Sequence, residues 1–457
     1  MLTLLLLPSL LVACDGGLTP LPSDDTADSA GGNNNNNNNN QNCESVFRFD
    51  PLPEIWPVPS GYTDSTFRGV QDTDGASPDW VLTDIGGDGL LDIVVTSHPD
   101  IAPVGTSTWL VHAGSASGFA DAGSGFGLPS GYPDGAFSRI PDPSTASPNW
   151  AMGGLGKTDL IFYEIEGLTQ VGTDALFRHK NSGGGFESSS SSVGLPPGYP
   201  SLEFRYGYDI SSSNPNWGFV DIDGDGDRDL VVTGFDGIDG VGEGRWLVHL
   251  YDAGNYSSNG MTWLLPAFGG NELRTTSDQV SEGTNWELID LDGDDVPELV
   301  VTLQDGVDGL GDARWQVYSN KGNAFDTIPK DWNLPAGLTG LSWVTDRSDD
   351  GLNWALADLT GSGRPDLVVT YGGEGANGTG RWEIYRNNGK GFADEAQVFL
   401  LPNGLASTMA RRFTSTEFVI TDVDSDGLVD MLVARNTASS DLELGVTHWY
   451  RYSALCD

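Results

Sequence analysis

The chain has 457 residues and sets 65 Asp and Glu against 22 Lys and Arg, a formal charge of −43. An excess of that size excludes nucleic acid and anionic lipid surfaces as electrostatic partners. With 62 Gly, 14 Trp and no sustained helical periodicity, the composition predicts an all-β chain of short strands and tight turns.

Residues 1–13 form an apolar segment, Leu2-Thr-Leu-Leu-Leu-Leu-Pro-Ser-Leu-Leu-Val-Ala13, that ends at Cys14. It is too short to cross a bilayer as a helix and has the length of a signal-peptide core. Leu11-Val-Ala-Cys14 resembles the bacterial lipobox, which implies a lipid on Cys14 as the mature N-terminus. Simple secretion is the alternative. Residues 14–42, with eight consecutive asparagines (Asn33 to Asn40), bury too little to fold and read as a disordered tether. As a random coil it spans roughly 30 Å.

From residue 43 to 457 one unit recurs. Asp221-Ile-Asp-Gly-Asp-Gly-Asp-Arg-Asp229 places carboxylates at positions 1, 3, 5 and 9 with Gly at 6, then runs into Leu230-Val-Val-Thr233. Oxygen donors at that spacing wrap a hard cation, so calcium is expected, and the β-branched run predicts a strand where an EF-hand has a helix. The ninth position recurs at Asp92, Asp159, Asp229, Glu298, Asp366 and Asp430, 64 to 70 residues apart. Each copy is followed by a strand carrying Trp109, Trp246, Trp315, Trp382 or Trp449, with Leu176 in the second copy. Ten residues later come Phe119, Phe186, Tyr256, Phe325 and Phe392, and ten further a proline.

The last copy lacks its Phe and Pro, and the same pair is left over at Phe49 and Pro59. The fold expected is therefore a six-bladed β-propeller of four-stranded blades, closed by an N-terminal strand that completes the C-terminal blade. Cys43 and Cys456 bracket the repeats, and a disulfide between them would staple the ring, worth about 5 kcal/mol by loop entropy.

The cation loops differ in their donors. Full sets are Asp221, Asp223, Asp225 and Asp229 with the carbonyl of Asp227; Asp290, Asp292, Asp294 and Glu298 with that of Val296; and Asp422, Asp424, Asp426 and Asp430 with that of Leu428. Asp84, Asp88 and Asp92 lack one carboxylate because Gly86 holds position 3. Asp358, Thr360, Ser362 and Asp366 supply two charges and make the weakest site. In the second copy the loop is short and Asp159 stands alone, so no ion is expected there. The reading is three strong calcium sites and two weaker ones.

The loop Asp221-Ile-Asp-Gly-Asp-Gly-Asp-Arg-Asp-Leu-Val-Val resembles the calcium loop of FG-GAP/VCBS repeat proteins, whose best-known members are the propellers of integrin α-subunits. The resemblance covers nearly all of 43–457. It implies that each loop joins the first two strands of a blade and that the metal is structural. The literal Phe-Gly and Gly-Ala-Pro boxes are absent, and the count is six where integrins have seven.

Aromatic rings at the strand slot, and Trp80, Trp150, Trp217, Trp286 and Trp354 before each loop, read as packing between blades, with sugar-stacking platforms as the alternative. Three residues after the strand slot stand His112, His179, His249, Tyr318, Tyr385 and Tyr452, expected on a packed or solvated strand face. No nucleophile elbow, zinc helix or phosphate loop is present, so no enzyme is expected. The function expected is a calcium-stabilised, lipid-anchored head on a bacterial envelope, periplasmic or surface-exposed. It acts as a monomeric binding, adhesion or scaffold module for an extracellular protein or glycan. A propeller lectin, or a polysaccharide-cleaving enzyme built on an acid pair, are the alternatives.

Overall fold

The computed structural model describes residues 47–456 apart from 64–65, 71–77, 102, 134–135, 139–148, 154–157, 169, 200–202, 206–215, 236–237, 268–272, 275–283, 345–351, 373–379, 414 and 427. The expected signal segment, Cys14, the tether and Cys43 lie outside the described residues. Among the described residues every regular element is a strand except one helical turn, Ser407–Ala410. None of their helices is long and apolar enough to cross a membrane.

The third repeat shows how the sequence builds a sheet. Asn216–Val220 leads into the acidic loop, which turns the chain into Asp229–Gly234, followed by Arg245–His249 and Met261–Leu264. These four strands pair antiparallel in sequence order. The β-branched run is buried along its whole length, as befits the second of four strands. A register shift at Asn216/Trp217 recurs just before Trp80, Trp150, Trp286 and Trp354, so each of these rings is aimed by a bulge.

The same four-strand path recurs over 79–127, 149–194, 285–333 and 353–400. In the last repeat Phe418–Thr421, Asp430–Val433 and His448–Cys456 supply three strands. The fourth is Glu54–Pro57 from the N-terminal end, antiparallel to His448–Cys456 with Trp56 opposite Trp449. That register matches Trp246 opposite Trp263 and Trp315 opposite Trp332.

Apolar cores lie between repeats. Six clusters join the first to the second repeat, the second to the third, and so on, and one of them joins Leu432 and Trp449 of the last repeat to Trp80, Ile93 and Val95 of the first. Trp109, Trp246, Trp315, Trp382 and Trp449 are wholly buried in these junctions. Four of their indoles donate to a backbone carbonyl of the following repeat: Trp109 to Phe137, Trp246 to Leu273, Trp315 to Leu341, and Trp449 to Phe67 of the first. An indole N–H bonded in this way fixes the depth of its ring.

The phenylalanines ten residues on cover the sheet edges. The N–H of Phe186 donates to Gly127, that of Phe325 to Leu264 and that of Phe392 to Asn333, each on the fourth strand of the preceding repeat. The N–H of Phe119 donates to Pro57, again linking first to last. Their rings meet the preceding repeat's Trp edge-on, as Phe186 does Trp109 at 5.7 Å and Phe119 does Trp449 at 5.5 Å. Phe47–Phe49 lies parallel to Gln397–Leu400 and takes the same place for the last repeat.

Candidate metal loops

Each acidic loop joins the first and second strands of its repeat, and backbone N–H groups fold it before any ion is considered. In the third loop Asp221 accepts from Gly224 and Gly226, both at 2.9 Å. Asp229 accepts from Tyr251 at 2.8 Å and Ile222 at 3.4 Å. The turn needs residues with positive φ, met by Gly224 and Gly226. In the fourth loop the second of these places is held by Asp295 at φ 65°, and in the sixth Ser425 at φ 59° stands in the first.

One carboxylate oxygen in each full loop is left over. Asp223 Oδ1, Asp292 Oδ1 and Asp424 Oδ1, all from position 3, are buried and accept no hydrogen bond among the described residues. Carboxylate oxygens of Asp221, Asp223 and Asp225, of Asp290, Asp292 and Asp294, and of Asp422, Asp424 and Asp430 converge within 4.8 Å of one another. Burial, opposed by backbone hydrogen bonds and reinforced by the neighbouring carboxylates, pushes Asp229 up to about 7 and Glu298 up to about 8. All-oxygen donors, converging charge and an unsatisfied inward oxygen fit a hard divalent cation. Such an ion would neutralise the carboxylates and fix the turn between the two strands.

The weaker loops are satisfied differently. In the fifth, the Thr360 hydroxyl donates to Asp366 at 2.9 Å, and Ser362 and Gly363 N–H groups close on Asp358. In the first, a Cβ at Gly86 would lie 3.8 Å from Asp88 Cγ and Asp92 Oδ2 and 3.9 Å from Asp84 Oδ1, at the centre of the three acids. Burial also raises Asp92. In the second repeat, where no ion is expected, the Arg178 guanidinium pairs with Asp159. A fixed cation on the third strand meets the charge that a missing loop no longer can.

Neighbouring loops are tied together. Asn181, Asn320 and Asn387 donate from their side chains to the carbonyls of Ile85, Ile222 and Leu291, position 2 of an earlier loop. Arg364 of the fifth loop donates to the carbonyl of Asp292 in the fourth, and Ser425 of the sixth to that of Gly89 in the first.

The residues three places after the Trp slot are buried, which rules out a solvated face for His112, His179 and His249 at 2–3% exposure. Each ring bonds through Nδ1 to a backbone carbonyl, of Ala120, Glu187 or Ser257, and through Nε2 to the hydroxyl of Tyr62, Tyr132 or Tyr199. The proton therefore sits on Nδ1 and the tyrosine donates to Nε2. Burial lowers all three histidines and pushes the tyrosines up to about 12. The sequence signal was present: Pro-x-Gly-Tyr precedes only the repeats that carry the histidine.

Residues 358–433 match the FG-GAP-like repeat family. No curated protein matches the chain. Among solved structures, the Tc holotoxin pore of Photorhabdus luminescens is similar over 90% of this chain at 16% identity and TM-score 0.50. The chain spans 15% of that much longer one, so the likeness concerns the fold. An Agrocybe aegerita lectin described as recognising non-reducing terminal N-acetylglucosamine is 15% identical over 79% of this chain and 77% of its own, with TM-score 0.41. A Dos1 propeller is 9% identical over 82% and 78%, with TM-score 0.28. The matched residues run from the acidic loop of the fifth repeat to the second strand of the sixth.

Proposed function

We propose that the chain is a calcium-stabilised, non-catalytic propeller of six four-stranded blades, closed between its first and last repeats, and that it serves as a binding, adhesion or scaffold module for an extracellular protein or glycan. The closure rests on the Glu54–Pro57 strand beside His448–Cys456 and on the apolar core shared by the last and first repeats. Calcium rests on one repeated observation, the buried position-3 oxygen that has no partner among the described residues in each full loop. In this reading the third, fourth and sixth loops are the principal sites, with the first and fifth weaker. A disulfide between Cys43 and Cys456, the cysteines that bracket the repeats, belongs to the same proposal. Lipid on Cys14 and the tether after it would hold the head off a bacterial envelope membrane.

The tryptophans of the third strands are wholly buried, so they are not platforms for sugar. Any glycan contact would have to come from loops at a rim. Thermal unfolding of the purified protein with calcium and with chelator tests the metal. Each site filled at a hundredfold excess over its dissociation constant adds about 2.7 kcal/mol. An unchanged transition temperature would sink it. Pull-down and glycan arrays in both conditions then identify the partner class, and turnover of an extracellular polymer would overturn the non-catalytic assignment.

A further inference from the structure

The position two residues after the Trp slot is apolar in four repeats, Val111, Val248, Val317 and Ile384, and arginine in the other two, Arg178 and Arg451. Arg178 belongs to the repeat whose loop has shrunk to Asp159. Arg451 belongs to the repeat that keeps all four carboxylates. Its guanidinium pairs with Asp424 and lies 3.1 Å from Asp430 Oδ1, the oxygen whose counterpart on Asp229 accepts the Tyr251 N–H. It also lies 3.6 Å from Glu54 and 5.3 Å from the Trp56 ring, both on the strand contributed by the other end of the chain. The residue is 5% exposed.

Resting on the calcium reading of the loops, we infer that Arg451 is a built-in counter-cation for the sixth loop, which makes it the last and weakest of the full loops to take calcium and leaves the junction of the two chain ends independent of the ion. A guanidinium already engaged by Asp424 and Asp430 must be displaced, or tolerated as a like charge, before a divalent cation enters. Among the described residues Asp424 Oδ1 has no partner, so the loop is weakened and not abolished. The third and fourth loops have no arginine at this position and carry Val248 and Val317 there. Tethered cation and ion are thus alternative solutions to one electrostatic problem, and the chain uses the tethered one where its ends meet.

Calcium titration of the full chain by calorimetry, with calcium as the only added ligand, tests this through single substitutions. Asp225→Asn and Asp294→Asn should each remove a tight ion, whereas Asp426→Asn, in the sixth loop but away from Arg451, should leave the tight ions unchanged. Arg451→Val should add a tight ion. Loss of a tight ion in Asp426→Asn would overturn the inference while leaving the calcium reading intact. Absence of any tight ion in the wild type would overturn the calcium reading itself. Unfolding in chelator gives a readout free of calcium: Arg451→Val should lower the transition temperature there, because Asp424 and Asp430 are left facing each other, and no change would count against the inference on its own. If Arg451→Val does not fold, the Asp426→Asn arm still decides.

Discussion

Gly86 sits at the centre of an incomplete set of donors, and its backbone is not in the left-handed region, so a side chain is sterically admissible. On the proposed calcium reading, Gly86→Asp should complete the first loop, read as one additional calcium ion in a titration. An unchanged isotherm would mean that Asp84, Asp88 and Asp92 are not arranged as ligands. The buried histidines make a second prediction at this scale. Their folded-state pKa is lowered, so folding is fully favoured only above the ordinary value of 6.5 and loses stability as pH falls through it, the unfolded chain taking up the protons. In saturating calcium, the transition temperature should therefore decline below about pH 6.5, and replacing His112 and His249 by Gln should flatten the decline. The spacing of the acidic loops was legible in the sequence because it is local. Arg178 beside Asp159 was not, because the pair lies 19 residues apart and meets only once strand register is known.

At the scale of the strand, the phenylalanine that closes on the preceding sheet does two jobs. Its N–H ends the exposed row of carbonyls on a fourth strand, and its ring packs edge-on against a buried tryptophan. Phe392 is 3% exposed, with Trp315 at 5.6 Å and Trp332 at 6.1 Å. Phe392→Ala should destabilise by about 3–5 kcal/mol, the usual cost of emptying an aromatic site, as measured by denaturant unfolding. A loss below about 1 kcal/mol would show that the junction collapses around the gap. The ten-residue spacing from Trp to Phe was visible in the sequence, but not which sheet the Phe would serve. Spacing reports what recurs, and the partner across a junction is set by three-dimensional packing. The same holds for Tyr62 and His112, 50 residues apart and joined by one hydrogen bond.

For the whole molecule, the leftover Phe49 and Pro59 were enough to anticipate that the N-terminal end belongs with the last repeat, and the register of Trp56 opposite Trp449 shows how. The partner was not legible, because the repeats encode packing and charge neutralisation, and neither spells out a ligand. The acidity is spread more widely than the loops, and even five divalent ions would leave most of the −43 in place. Net charge of that size favours a well-solvated surface.

The clasp from each hairpin to the sheet before it has a direction. Phe186 grips backward onto the first repeat, Phe392 backward onto the fourth, and Phe119 backward onto the strand at 54–57. A fragment of consecutive repeats would carry an idle clasp at its front and an ungripped flank at its rear, two surfaces made for each other on different copies. Such pieces would polymerise head to tail, and only the uncut chain can satisfy both surfaces within itself.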